Sequence, residues 1–364
     1  MGKFEADTER SLQQNSFGKK LGRVLGKIAL ILLETVLLVA IALYGVMYIL
    51  AKGPSPTARD LFVRSVRETS AIGFLADIYF TKEEIAAIEM AEDIAVFEET
   101  DTSLITIAKP DDTTSDGPVA DEWGFVDEDG DGIILDEVKG EGYSGYMMII
   151  KDPSRVILGT VPATYGRKGY TVQEMVEVFD GVAGINAGGF DDPGGTGNGS
   201  VPNSLVVFEG EVCSYHTNTA NGFVGLDSNH ILHVGKLTKA EILERDIQYG
   251  VCFGPVLINN GEVALAENNV GGLNPRTAIG QRSDGAILML VIDGRQVISI
   301  GATYRDLVDI FLEYGAVNAC NLDGGSSSMM WYDGGYVNNC ASVIGIRPIP
   351  TAFIVLKEGV TVDE

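Results

Sequence analysis

One acid, two glycines and three hydroxyls follow one another in Asn321-Leu322-Asp323-Gly324-Gly325-Ser326-Ser327-Ser328. A strand that empties into such a turn presents the Asp323 carboxylate beside bare backbone N–H groups, an arrangement suited to sugar or phosphate chemistry. Asp-Gly-Gly is equally an ordinary hairpin turn, so the segment has weight only in company. Three other segments combine glycine with a chemically capable residue. Ile185-Asn186-Ala187-Gly188-Gly189-Phe190-Asp191-Asp192 leaves a β-like run into a glycine-rich loop. Phe253-Gly254-Pro255 enters the apolar run Val256–Ile258, which ends on Asn259-Asn260-Gly261, and Asn274-Pro275-Arg276-Thr277-Ala278 sets an arginine before a run of small residues.

Other chemistries fit less well. His216, His230 and His233 share one window, but His230 and His233 lie three apart in a strand-like run and would face opposite sides. No H-E-x-x-H zinc motif, G-x-S-x-G nucleophile elbow, dinucleotide fingerprint or P-loop is present. Asp293-Gly294 between two apolar runs reads as a hairpin.

Taken in order, and together with Val291-Ile292-Asp293-Gly294-Arg295, the four segments resemble the phosphodiester glycosidase family over about Gly142 to Leu356. One departure is Ala187, which stands where that family commonly carries glycine. The resemblance implies an enzyme, a glycoside hydrolase that cleaves a sugar-1-phosphodiester at the glycosidic C–O bond and leaves a phosphomonoester. It needs no cofactor for catalysis. Glycoside hydrolysis ordinarily takes two carboxylates, but phosphate is already a good leaving group, so an arginine could stabilise its charge instead. On that reading Asp323 is the nucleophile or general base, Arg276 the phosphate clamp and Asn186 an orienting residue. Gly188, Gly189, Asp191, Thr277, Gly324, Gly325 and Ser326 line the substrate, and Asp191 or Asp192 is the second carboxylate. Each has a structural competitor: Asp323 as a turn cap, Arg276 as half of a surface ion pair, Asn186 as a loop brace. Two other functions stay open, a non-catalytic glycan-binding surface module and a phosphodiesterase that cuts the P–O bond. Sugar, aglycone and stereochemical course are not encoded in the motifs.

The elements that must hold these segments are mostly strands. Tyr146–Ile150, Val156–Thr160, Gly184–Ala187, Leu205–Phe208, Val256–Ile258, Ala286–Ile292, Val297–Ile300 and Thr351–Leu356 read as β. Thr171–Phe179 and Thr303–Tyr314 carry apolar faces at helical spacing, Lys239–Tyr249 reads as a third helix, and Thr57–Thr69 and Thr81–Glu92 as helices ahead of them. The fold class is therefore α+β, a mixed or antiparallel sheet core with a few packed helices.

An apolar run from Ile28 to Leu50 is long enough to cross the roughly 30 Å hydrocarbon core as one helix. Lys19, Lys20, Arg23 and Lys27 precede it, so the positive-inside rule leaves residues 1–27 as a cytoplasmic stub and residues 28–50 as a single-pass signal anchor. Residues 51–142 read as an acidic spacer and 143–357 as the catalytic domain, both extracytoplasmic. The expected partners are the membrane, through that helix, and a sugar-phosphate surface glycan or glycolipid-linked polymer. Nucleic acid is excluded by charge: the chain carries −25 at pH 7, with 20 acidic residues and only Lys109 and Lys139 between Glu83 and Glu141.

Within the spacer, Asp127-Glu128-Asp129-Gly130-Asp131-Gly132-Ile133 copies the first half of a calcium loop, but Val138 stands where the closing bidentate acid belongs. Asp127, Asp129 and Asp131 are either calcium ligands or a solvated acidic turn. Cys213, Cys252, Cys320 and Cys340 allow three disulfide pairings, or four free thiols.

Overall fold

The computed structural model describes residues 2–69, 72–90, 98–107, 119–192, 197–199, 201–214, 222–266, 269–342 and 344–360. His216 and most of the polar stretch 109–121 lie outside them. The chain divides into two compact units, Met1–Phe62 and Val63–Glu364. The first is dominated by the helix Gly2–Lys52. Its portion Gly22–Lys52 has a mean hydropathy of 2.5 and is unburied, long and apolar enough to cross a membrane.

The second unit is built from antiparallel sheets. One has seven strands in the order Ile133–Gly140, Tyr143–Ile150, Ile287–Ile292, Arg276–Arg282, Ala316–Asn321, Val256–Asn259 and Glu262–Val263. A second orders Gly335–Tyr336, Met330–Tyr332, Gly181–Asn186, Thr351–Leu356 and Val156–Thr160; a third orders Glu211–Ser214, Val206–Phe208, Ile247–Cys252, Phe223–Asp227 and Leu232–Gly235. With the packed helices this is an α+β fold.

Side-chain alternation explains how the large sheet is sandwiched. Met148, Ile150, Ile287, Met289 and Val291 face the other sheets, packing with Ile185, Phe353, Val206 and Val224. Their neighbours Met147, Ile149, Leu288, Leu290 and Ile292 face the opposite way, onto Leu307, Val308, Ile310 and Phe311 of the helix Tyr304–Glu313. Both faces being covered, the run Ile287–Ile292 is apolar without interruption. Capping boxes start the helices at Thr81 with Glu84, Thr171 with Glu174, Thr238 with Glu241 and Thr303 with Asp306, and the last three fix where strands give way to helices.

Three readings are corrected by the structure. The helix expected over Lys239–Tyr249 stops at Glu244, because Asp246 turns the chain at φ 53° into the strand Ile247–Cys252. Val297–Ile300 is no strand but the tip of a tight turn, where β-branched residues find no partner strand. Finally, residue 142 is not a boundary. The strand Ile133–Gly140 pairs along its length with Tyr143–Ile150. Arg282, buried, bonds Asp121 at 2.8 Å and Asp284 at 2.6 Å and lies 3.9 Å from the Trp123 ring centroid. Glu68 bonds Arg276 at 2.8 Å. From Val63 onward the acidic region is thus part of the folded body.

Candidate active site

Asn186 is the hinge pin of the site. It ends the strand Gly181–Asn186 almost fully buried, and its side-chain amide is shared among three segments. Its Oδ1 accepts from Thr277 Oγ1 at 2.8 Å and from the Met329 N–H at 3.1 Å, while Nδ2 donates to the Asp323 carbonyl. The Asp323 N–H donates to Ala187 O at 2.9 Å and the Leu322 N–H to Thr277 O at 2.8 Å. Asn321 donates from its own N–H to Pro255 O and from Nδ2 to Gly254 O. All four glycine-bearing segments read from the sequence therefore meet, and Asp323 stands at their junction.

Asp323 follows the strand Ala316–Asn321 and precedes the single helical turn Gly325–Ser327. The residue keeps partial access to solvent, yet protein surrounds its carboxyl. Burial pushes that carboxyl up to about 6. Hydrogen bonds from the Ser327 side chain and the Gly324 backbone, and the Arg347 cation, pull the other way; the neighbouring Asp192 charge adds to the rise.

Arg347 pairs with Asp192 and lies 5.1 Å from the Phe190 ring centroid. Asp192 also accepts the Gly197 N–H at 2.7 Å. Gly197 has φ 63°, and a Cβ there would come within 2.7 Å of Arg347 Nε, so this position needs glycine twice over. Arg347 Nε is itself buried and has no protein partner among the described residues. A recess of about 290 Å³ opens beside it, lined also by Lys168, Asn198, Ile346 and Pro348.

Arg295 also reaches the Asp323 loop. Its Nη1 donates to Ser326 Oγ at 3.3 Å, and its Nη2 to Thr69 Oγ1 at 2.8 Å and Asn274 Oδ1 at 3.0 Å. Gly325, at φ 62°, would carry a Cβ only 3.1 Å from Arg295 Nη2. Burial and the nearby Arg276 and Arg347 charges hold the Arg295 guanidinium below its usual range, against Glu68. It stays charged at neutral pH, because an arginine begins so far above it.

Arg276, the expected phosphate clamp, is held by protein groups. Its side chain is buried, with Nε donating to Ala302 O at 3.1 Å and Nη2 engaged by Glu68 and the Gly272 carbonyl. The guanidinium also sits 4.2 Å from the Tyr304 ring centroid. Glu68 further accepts from the Gly272 N–H and from Asn274 Nδ2, both at 2.9 Å, so Arg276 and Glu68 together fix the loop that carries Asn274.

Of the remaining expected residues, Thr277 is fully buried and engaged with Asn186. Gly188 and Gly189 are buried too: the Gly188 N–H donates to Thr351 Oγ1 at 2.9 Å, and a Cβ on Gly189 would lie 3.0 Å from Asn203 and Phe253. Gly324 approaches Pro275 O so closely that a Cβ would stand 2.8 Å from it. Asp191 is exposed, and Asp192 is the carboxylate turned inward. Sequence reasoning missed Arg347, which sits in no motif. It passed over Arg295, although that residue lies in the segment carrying the resemblance.

Asp293 is buried and accepts from Asn338 Nδ2, the Asn339 N–H and Asn339 Nδ2, a bracing role. His233 pairs with Asp227 at 3.0 Å. All four cysteines are free thiols. Asp127, Asp129 and Asp131 bring carboxylate oxygens within 4.8 Å of one another, and Lys151 Nζ already lies 3.0 Å from Asp127.

The family model for phosphodiester glycosidase matches residues 179–356. The SPbeta prophage-derived uncharacterized protein YomE of Bacillus subtilis strain 168 is 31% identical over 189 residues, 50% of this chain and 29% of that protein. Bovine N-acetylglucosamine-1-phosphodiester alpha-N-acetylglucosaminidase is 27% identical over 147 residues, 35% of this chain and 28% of that one. The chain thus spans under a third of the length of both relatives. The zebrafish N-acetylglucosamine-1-phosphodiester alpha-N-acetylglucosaminidase catalytic domain superposes with a TM-score of 0.51 at 18% identity, covering 62% of this chain and 82% of that domain, which shows a shared fold. Residues 179–356, with Asn186, Arg276, Asp323 and Arg347 among them, are a domain of the phosphodiester glycosidase family.

Proposed function

We propose that this chain is a membrane-anchored, extracytoplasmic hydrolase that cleaves a sugar-1-phosphodiester, such as an N-acetylglucosamine-1-phosphate diester, at the glycosidic C–O bond. The observation that carries the proposal is the raised Asp323 carboxyl within reach of the Arg347 charge, with Arg295 on Ser326 of the same turn, inside a phosphodiester glycosidase domain. Its carboxylate, ionised above about pH 6, attacks C1 or takes a proton from the water that does. Arg347 and Arg295 bind the departing phosphate, whose charge grows as the C–O bond breaks. Asp192 holds Arg347 in place, and Asn186 fixes the backbone of Asp323 through its carbonyl. In this scheme Arg276 positions Asn274, and through it Arg295, instead of touching phosphate. The recess beside Arg347 gives the phosphate side of the substrate room.

In this proposal Gly22–Lys52 is the anchor, and the basic residues before the apolar run favour a folded unit outside the cytoplasm. A surface glycan or lipid-linked glycan is the substrate that such an address offers. Catalysis is proposed without a cofactor; the Asp127, Asp129 and Asp131 loop is proposed only as a calcium site that stiffens its own turn.

The test uses the full chain in detergent with methyl-phospho-N-acetylglucosamine in heavy-oxygen water. Label in the released sugar, lost in Asp323→Asn, supports the mechanism. Label in the phosphate makes the chain a phosphodiesterase, and no release with retained glycan binding makes it a binding module.

A further inference from the structure

A tight turn on the rim of the site is built unlike a soluble surface. The Arg295 N–H donates to Ile300 O and the Gln296 N–H to Ser299 O, both at 2.9 Å, which leaves Val297-Ile298 at the tip. The base is fixed: Ser299 Oγ donates to Asp293 O at 2.7 Å and accepts the Ser144 N–H, and the Ile300 N–H donates to Gly142 O. Val297 is 102% exposed, Ile298 80% and Ile300 55%. Single exposed apolar residues are ordinary, but a rigid pair at a tip with a third beside it is a contiguous patch.

Two observations say what covers it. Arg295, at the base of this turn, reaches Ser326 beside Asp323. It also bonds Thr69, six residues after Val63, where the folded unit begins. The chain thus enters the unit next to the turn, and Thr69 comes only 17 positions after Lys52, the last residue of the apolar helix. Even fully extended, such a tether reaches no more than about 60 Å. Directly after Thr69, Ile72, Phe74 and Ile78 are exposed by 39%, 60% and 53%. Apolar tip, phosphate-side arginine and entry of the tether lie on one side of the unit.

We infer that the Val297-Ile298 tip enters the lipid–water interface and that the site acts on sugar phosphodiesters whose aglycone is a membrane lipid. This rests on the hydrolase and anchor proposed above. Water's oxygen ends on C1, the C1–O bond breaks, and its electron pair leaves with the phosphate. The lipid phosphomonoester stays in the bilayer, and the proton passes to solvent. A chain with net charge −25 is not drawn to anionic lipid, so insertion is apolar, weak by itself and sustained by the tether. Its dependence on salt is accordingly slight.

The full chain, reconstituted in phosphatidylcholine vesicles, allows two readouts. In the first, Ile298→Trp reports depth, with Trp123 and Trp331 measured as background in the unsubstituted protein. Blue-shifted emission quenched by brominated lipid is expected; unquenched emission overturns the inference whether or not the protein hydrolyses anything. In the second, Val297→Asp with Ile298→Asp lowers kcat/KM on a long-chain alkyl phospho-N-acetylglucosamine in the vesicles, on the order of 100-fold. Activity on the soluble methyl diester stays unchanged. Equal loss on both substrates, or on neither, overturns it. A concentration-dependent dimer abolished by Val297→Asp also overturns it, by making the tip a contact between copies. Absence of hydrolysis with a quenched Trp sinks the proposed reaction and leaves the interfacial tip standing.

Discussion

Replacing Arg347 with methionine removes the cation that holds the Asp323 carboxyl down and breaks the Arg347–Asp192 ion pair. Both changes push Asp323 in one direction, up from about 6. An opposite charge within several Å is worth at least one pH unit in a protein interior, or about 1.4 kcal/mol between the two protonation states. The ascending limb of kcat/KM, expected near pH 6 because ionised Asp323 is required, therefore moves to about pH 7 or above. The sign follows from the acid: a carboxyl that keeps its proton to higher pH is silent over a wider acidic range. Arg347→Lys keeps the charge and leaves the limb near pH 6. Initial rates of sugar release from the methyl diester across acid and neutral pH give all three profiles. Because Arg347 is also the proposed phosphate ligand, KM is expected to rise in both variants, and the position of the limb is what decides. Coincident limbs in Arg347→Met and the parent protein, or a parent profile flat through pH 6, would refute the coupling between Arg347 and Asp323.

Asp323→Asn abolishes hydrolysis and, by removing a charge that burial penalises, raises Tm above about pH 6; the gain shrinks as pH falls towards 3.8, where the unfolded carboxyl also holds its proton. A Tm difference independent of pH would show that the penalty is absent. Glu68→Ala strips a partly buried carboxylate from Arg276, Gly272 and Asn274, and should cost about 2–4 kcal/mol in a denaturant titration, somewhat under the loss of a fully buried pair. Gly325→Ala forces a side chain into φ 62° beside Arg295, costing about 1–2 kcal/mol and raising KM more than it lowers kcat. Millimolar calcium raises Tm if the Asp127 loop binds it, and Lys151→Ala strengthens the effect by vacating Asp127; no shift in either protein refutes the site.

What could be read from the sequence is what local chemistry fixes. Asn186, Thr277 and the Asp323 turn lie at strand ends, where a change from apolar run to glycine is visible in one dimension, and they do converge. Arg347 could not be found this way. It follows an unremarkable Ile344-Gly345-Ile346, and its meaning comes from Asp192, 155 residues earlier. Arg276 shows the opposite failure. Its place before a small-residue strand was correctly seen, but the carboxylate that occupies it lies 208 residues away, in a segment whose acidity reads as spacer. The same acidity hid the strand Ile133–Gly140, where Ile133, Ile134 and Val138 are buried and Asp136 bonds Tyr314. Composition averages over a segment, whereas docking turns on a few residues. Glu68 is the instructive case: one carboxylate, placed by the chain's entry into the fold, satisfies Arg276, and the proposed mechanism accordingly assigns the phosphate to Arg295 and Arg347.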